Sequence, residues 1–280
     1  KEVDLVTPNG FEDSFVPGKK EFEKKRKEAR EKLLRVASTL SGEELGDDTV
    51  LITNSGRYEF KNKGIDLFID ALGDLNKHKK LPGKAVAFIL IPAHHYGPRK
   101  DLKEAIARKK NGLSEEKFLT HYLHYPEHDP IMQRIRENGF SNEAGDQVKM
   151  IFVPSYLNGN DGIFDMPYYD ILIGMDLSVF PSYYEPWGYT PLESLAFSIP
   201  TVTTTLTGFG LWVNERYPDT GNGITVIPRD DFNDEEVARG ISEFIEKYGS
   251  LNDEERIAAR NKAYEISRIA LWENLISHYW

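Results

Sequence analysis

One short stretch, Gly188-Tyr189-Thr190-Pro191, has the residue types that open a helix onto an anion. Proline is favoured in a helix's first turn. The amides of that turn have no partner inside the helix. Together with the helix dipole they stabilise a bound charge by about 0.3–2 kcal/mol. Glu185 precedes this turn and Glu193 lies in the first turns of the helix, so two carboxylates flank the anion site. Carboxylates accept hydrogen bonds and suit a hydroxyl-rich ligand. The bland alternative is a glutamate that only stabilises a helix start. A second stretch, "SGRYEFKNKG" from Ser55 to Gly64, supplies Arg57 and Lys63 in a glycine-bounded turn. Arginine forks onto phosphate oxygens and lysine acts as a point charge, each charge-assisted bond contributing about 1.5–3 kcal/mol. The alternative here is a surface ion pair of Arg57 with Glu59, which is worth little. Taken together, the two stretches suit a diphosphate with hydroxyls at both ends, the chemistry of a nucleotide sugar.

Both stretches must sit at strand ends to meet. "VLITNS" at Val50, "KAVAFILIP" at Lys84, "VKMIFV" at Val148, "DLSVF" at Asp176, "TVTTT" at Thr201 and "GITVI" at Gly223 read as strands. Most are apolar throughout, and helical segments separate them. That pattern argues for a parallel sheet covered on both faces, an α/β, doubly wound, Rossmann-like domain. In such a sheet ligands bind beyond the carboxyl ends of the strands. Lys19 to Leu40 reads as an amphipathic surface helix, "GIDLFIDALGDLNK" and "PLESLAFS" as helices, and further helices start at Asn233 and Asn252. "DLVTPNGF" reads as a short strand and a turn. His94 to Phe140 interrupts the alternation and is expected to be a helical insertion on the rim of the sheet, with no clear strand.

The composition bounds the function. The chain has 280 residues, 40% hydrophobic and 29% charged, enough for a sizeable core in one domain. A net charge of -10 repels nucleic acid and anionic membranes, so an anionic ligand needs a local cationic pocket. The absence of cysteine excludes disulfides and thiolate chemistry and fits a reducing, cytoplasmic setting. The longest apolar run, "AVAFILIP", is too short to span a bilayer.

"GRYEFKNKG", "VPSYL" and "FPSYYEPWGYTPLESLAFSIPTVTTTLTGFG" resemble the eukaryotic-type glycogen synthase family of retaining glycosyltransferases. "VTPNG" and "DPIMQRIRENGFSNEAGDQVKMIFVPSYL" are similar to it as well. The resemblance runs from Val6 to about Trp280 and is weakest between His94 and His128. It implies the two-lobed GT-B arrangement, of which residues 1–280 correspond to the C-terminal, donor-binding lobe alone. The lobe carrying the acceptor face would be absent, and the fragment by itself inactive. Position by position, the resemblance implies that Arg57 and Lys63 hold the diphosphate and Tyr168 stacks on the base. It gives the amides of Gly188, Tyr189 and Thr190 to the distal phosphate, Glu185 to the transferred glucose and Glu193 to the ribose hydroxyls. The implied partners are a UDP-glucose (or ADP-glucose) donor and a glucan acceptor. The implied reaction adds glucose to the 4-hydroxyl of an α-1,4-glucan with retention. No cofactor or metal is called for, because fixed cations and amides stabilise the leaving diphosphate. The stretch matching the family's arginine-dense sensor helix holds Arg256, Arg260 and Lys262 among acidic neighbours, so control by glucose-6-phosphate is not expected. A eukaryotic assembly insertion is shortened. Both departures are expected of a bacterial member, and a homo-oligomer stays open.

Other readings are weaker. A nucleotide-sugar binding module without turnover would need the same site. A phosphorylase lacks its lysine motif here, and a dehydrogenase lacks G-x-G-x-x-G after the first strand. His121, His124 and His128, with His94 and His95, are suggestive of a metal. Pro126 interrupts their shared face, however, and no carboxylate or cysteine completes a set; they are expected at the surface or edge of the insertion. Trp187 is read as a wedge that holds its loop on the sheet, and Trp272, Tyr279 and Trp280 as packing residues.

Overall fold

Six strands run parallel because their residues are apolar on both sides, so both faces of the sheet demand cover. The computed structural model describes residues 8–113 and 115–276. The strand expected at 4–7, and Tyr279 and Trp280, lie outside the described residues. The strands are β1 (Val50–Ser55), β2 (Ala85–Leu90), β3 (His95–Pro98), β4 (His121–Leu123), β5 (Val148–Val153), β6 (Leu177–Val179), β7 (Thr201–Thr204) and β8 (Ile224–Ile227). The helices are α1 (Lys19–Ser41), α2 (Ile65–His78), α3 (Lys100–Ala107), α4 (Pro130–Glu137), α5 (Tyr168–Leu172), α6 (Tyr189–Ala196), α7 (Gly208–Arg216), α8 (Asp234–Gly249), α9 (Asp253–Arg268) and α10 (Trp272–Leu275).

The main sheet has the order β5-β2-β1-β6-β7-β8, every pair parallel. Renumbered by these six strands alone, that is the Rossmann order 3-2-1-4-5-6. The order reverses between β1 and β6. The crevice at that switch point is therefore walled by the loops after β1 and after β6, the two stretches singled out by their chemistry.

Alternate residues of each strand feed two cores. Leu51, Val86, Phe88 and Leu90 pack with α1, α5, α6 and α7 on one face. Ile52, Ala87, Ile89 and Phe152 pack with α2, α4 and α8 on the other. Full burial of one such Leu, Ile or Phe side chain contributes about 1.5–3 kcal/mol. α1 presents Ala29, Leu33, Val36, Ala37 and Leu40 to the first core, as its stripe predicts. It also donates charge: Arg26 and Arg30 reach Asp176, at 2.6 and 2.7 Å, just ahead of β6. Burial alone would raise the Asp176 carboxyl, but Arg30, Arg26 and the Leu51 amide overcome it and hold the carboxyl below its ordinary range.

The segment after β2 corrects one expectation. It holds helices α3 and α4, but also an antiparallel pair, β3 with β4, with an irregular register between His95 and Pro98. His121 is another correction: it is fully buried, not at the surface or edge. Its Nε2 donates to the Asp161 carbonyl at 2.9 Å and its Nδ1 lies 2.8 Å from the Thr120 hydroxyl. Both ring nitrogens are thereby engaged, and the Nε2 bond ties the hairpin to the loop after β5. Among the described residues, no three His, Cys, Asp or Glu side chains are grouped to hold a metal ion. No described helix is long and apolar enough to cross a membrane.

Burial pushes the His121 pKa below its ordinary 6.5, and the Asp161 carbonyl offsets only part of this. The unfolded chain then takes up a proton more readily than the folded one. Stability from this site is complete above about pH 6.5 and declines as pH falls from there toward the folded value. Urea titrations between about pH 7.5 and 5.5 should show that decline, and His121→Gln should flatten part of it. His95, also lowered by burial, accounts for a remainder. An identical slope in the variant would show that His121 does not titrate on unfolding.

Candidate functional site

Gly64 ends the β1 loop and caps α2 with φ +64°, a left-handed conformation that glycine adopts without penalty. A Cβ there would overlap the Pro181 carbonyl, so the two loops touch backbone to backbone. One residue pair further, the Tyr183 amide donates to the Asn62 carbonyl at 2.7 Å. Arg229, buried to 7% exposure, donates to the same Pro181 carbonyl and lies 5.3 Å over the Tyr183 ring. The β6 loop is pinned downstream as well: the Glu185 amide donates to Leu206 O at 3.2 Å and the Phe209 amide to Trp187 O at 2.7 Å. Trp187 meets Phe209 and Trp212 edge-on at 5.6 and 5.8 Å, the wedge expected of it.

This framework brings most of the predicted residues together. Lys63 donates to Glu185 Oε2, with the two side chains only 13% and 19% exposed. An ammonium carries three protons, so two remain for an anion. Gly188 is the N-cap of α6, and a Cβ on it would lie 3.8 Å from Glu185 Cγ, so carboxylate and helix start are neighbours. No side chain caps α6, which leaves the amides of its first turn to a ligand. Arg57 and Thr190 line one pocket of about 600 Å3, together with Ser55, Tyr58, Tyr156, Asn158 and Tyr168.

Arg57 itself is 75% exposed and pairs through Nε with Glu59 at 3.1 Å, the alternative foreseen for it. That contact does not use the terminal fork, which a phosphate would engage. Tyr168 bonds the Ser55 hydroxyl at 2.7 Å, and burial pushes its phenol pKa up. Tyr189 is exposed at the rim. Glu193 is half-buried and accepts from the Tyr169 hydroxyl at 3.1 Å. Burial raises its pKa, and the Tyr169 bond offsets only part of that.

Sequence reasoning passed over Tyr58, Ser55 and Tyr156. The signal for Tyr156 was its place directly beyond the apolar strand β5, where a 75% exposed ring has no packing role. A second pocket of about 760 Å3 adjoins the first through Tyr58, Pro92 and Tyr156 and carries His94, His124, His128 and Asp129 on its wall. On the opposite edge of the sheet, Arg256 and Arg260 share a pocket of about 930 Å3 with Arg26 and Arg30 of α1. Burial lowers the Arg260 pKa to about 10.

Gly64→Ala should part the two loops. The expected cost is about 2–5 kcal/mol, a left-handed backbone penalty plus overpacking. Denaturant melts will measure it, and a variant as stable as the parent would show that the loops are not in contact.

Residues 1–110 and 99–280 match the family model described as Glycogen synthase. The glycogen [starch] synthase of Caenorhabditis elegans is 29% identical, the match covering 98% of this chain and 50% of the relative. The liver glycogen [starch] synthase of Mus musculus is 28% identical over 100% of this chain and 47% of its own length. The chain spans about half the length of the curated relatives it matches. Among solved structures, the catalytic domain of starch synthase IV from Arabidopsis thaliana, bound to ADP and acarbose, has a TM-score of 0.54 at 16% identity. It aligns over 97% of this chain and 45% of that one, a likeness of fold.

Proposed function

Because the chain belongs to the glycogen synthase family, we propose that it is the donor-binding lobe of an enzyme that transfers glucose from UDP-glucose to the 4-hydroxyl of an α-1,4-glucan with retention. The observation that carries this reading is the meeting of Lys63, Glu185 and the uncapped start of α6 at the switch point of the sheet. Breaking a sugar–phosphate bond builds negative charge on the departing diphosphate. Arg57, Lys63 and the amides of Gly188, Tyr189 and Thr190 would stabilise that charge. The donor's base would stack on Tyr168 in the pocket beside Ser55. Glu193 would accept from the ribose hydroxyls and Glu185 from the transferred glucose.

The glucan acceptor would approach from a second lobe, and the reaction would run in the cytoplasm, where nucleotide sugars are supplied. A single lobe does not close over donor and acceptor or exclude water, so turnover belongs to the full-length protein. A binding module without turnover would bind the same donors and transfer nothing.

Two measurements test this. The protein should bind UDP and UDP-glucose in calorimetric titrations run beside ADP and ADP-glucose, which also decides the donor base. In the full-length enzyme, Arg57→Ala should lower kcat roughly 10²–10³-fold, read as labelled glucose incorporated into glycogen. A near-parental rate removes Arg57 from the chemistry, and donor binding with no transfer by the full-length protein selects the module.

A further inference from the structure

The loop that carries Arg57 has little to hold it on the side of its first residues. Gly56, with φ +145°, adds no side chain of its own. Arg57 is mostly solvent-exposed. Past Ser55, the first side chain of the loop fastened to another element is Tyr58, whose hydroxyl donates to Asp129 Oδ2 at 2.7 Å. Its ring packs at 6.4 Å from Phe152 of β5. Burial and the Asp129 carboxylate both push the Tyr58 phenol pKa up, which favours the protonated, donating hydroxyl.

Asp129 is itself held rigidly. It is the N-cap of α4, where its other oxygen accepts from the Met132 amide at 3.0 Å, and Pro130 sets the first helical turn. α4 in turn is fastened to α2, the helix that begins where the same loop ends. Arg134 bonds Asp70 at 2.5 Å and Asn138 bonds Asp70 at 2.9 Å. The segment after β2 therefore grips the Arg57 loop at both ends, at Tyr58 through Asp129 and at α2 through Asp70.

We propose that Asp129 is a positioning residue for donor turnover, latching Tyr58 so that the neighbouring Arg57 is aimed at the diphosphate. This rests on the reading of the Arg57 loop as half of a diphosphate cradle. A loop left free to move by about 1 Å loses on the order of 10²-fold in rate when it carries a charge-stabilising group. The segment from His94 to Phe140 thus has a catalytic consequence, although it contributes no group to the reacting atoms.

The test uses the full-length enzyme and measures donor kcat and KM, acceptor KM and melting temperature. Tyr58→Phe keeps the ring and removes only the latch. It should lower donor kcat/KM roughly 10-fold or more and leave acceptor KM unchanged. Asp129→Ala should do the same. Asp129→Asn keeps one oxygen to cap α4 and turns its NH2 to the Tyr58 hydroxyl, which can accept from it, and should restore most of the activity. In an Arg57→Ala background, Tyr58→Phe should cost nothing further, because the group it positions is gone. The proposal is overturned if the two losses multiply, if acceptor KM moves with donor KM, or if only the melting temperature falls. Should Asp129→Ala fail to fold, Tyr58→Phe decides alone. If Arg57→Ala itself leaves turnover intact, the cradle reading fails; if Arg57→Ala is severe and Tyr58→Phe is silent, the latch alone fails.

Discussion

The site depends on one steric constraint, the contact of Gly64 with the Pro181 carbonyl. A side chain at position 64 would drive apart the two loops that flank the switch point. With that contact in place, Lys63 lies within reach of Glu185, and the Tyr183 amide can pair with the Asn62 carbonyl at 2.7 Å. Arg229 braces Pro181 from the far side. The positions of the cation and of the α6 amides are thus set by backbone and buried side chains. In the proposed reaction, charge developing in the crevice would meet groups fixed in place beforehand, which is where electrostatic stabilisation gains most.

Charge is distributed to match. The chain carries a net charge of -10, yet both edges of the sheet gather cations. At the carboxyl edge these are Arg57 and Lys63. At the amino edge, Arg26 and Arg30 converge on Asp176, and Arg256 and Arg260 face the same pocket. The acidic neighbours that argued against an anion-sensing helix have another occupation. Glu255 forms a capping box with Asn252 and, with Asp253 and Glu254, stabilises the start of α9. The arginines opposite come from α1, far off in sequence, and no local reading of residues 251–267 can count them.

What was legible follows from physical range. The strands of the main sheet could be read because a strand buried on both faces must be continuously apolar, a local property. α1, α2, α8 and α9 announced themselves by stripe, cap and length. β3 and β4 did not: "HYGP" and "HYL" are short, polar and aromatic, and a buried His121 ties their hairpin to Asp161. α5 and α7 were missed too, one being only five residues and the other opening on Gly208-Phe209-Gly210. In the site, Arg57, Lys63, Glu185 and the α6 amides were visible as types at strand ends. The Tyr58–Asp129 bond was not, since its partners are separated by the whole β2–α3–β4 excursion.

The two glutamates show how one sheet edge gives like groups unlike surroundings. Glu185 is held by Lys63, the same ammonium that the diphosphate would use. A cation between carboxylate and phosphate screens their repulsion, so a sugar hydroxyl can be gripped next to a leaving group of the same sign. Among the described residues no cation pairs with Glu193; it is half-buried beside Tyr168 and Tyr169 and bonded by the Tyr169 hydroxyl, and burial makes its proton harder to lose. Environments that differ in this way assign roles to otherwise equivalent carboxylates. In the proposed reaction the cation-paired one would suit the place where charge moves, and the sheltered one a neutral hydroxyl whose charge does not change.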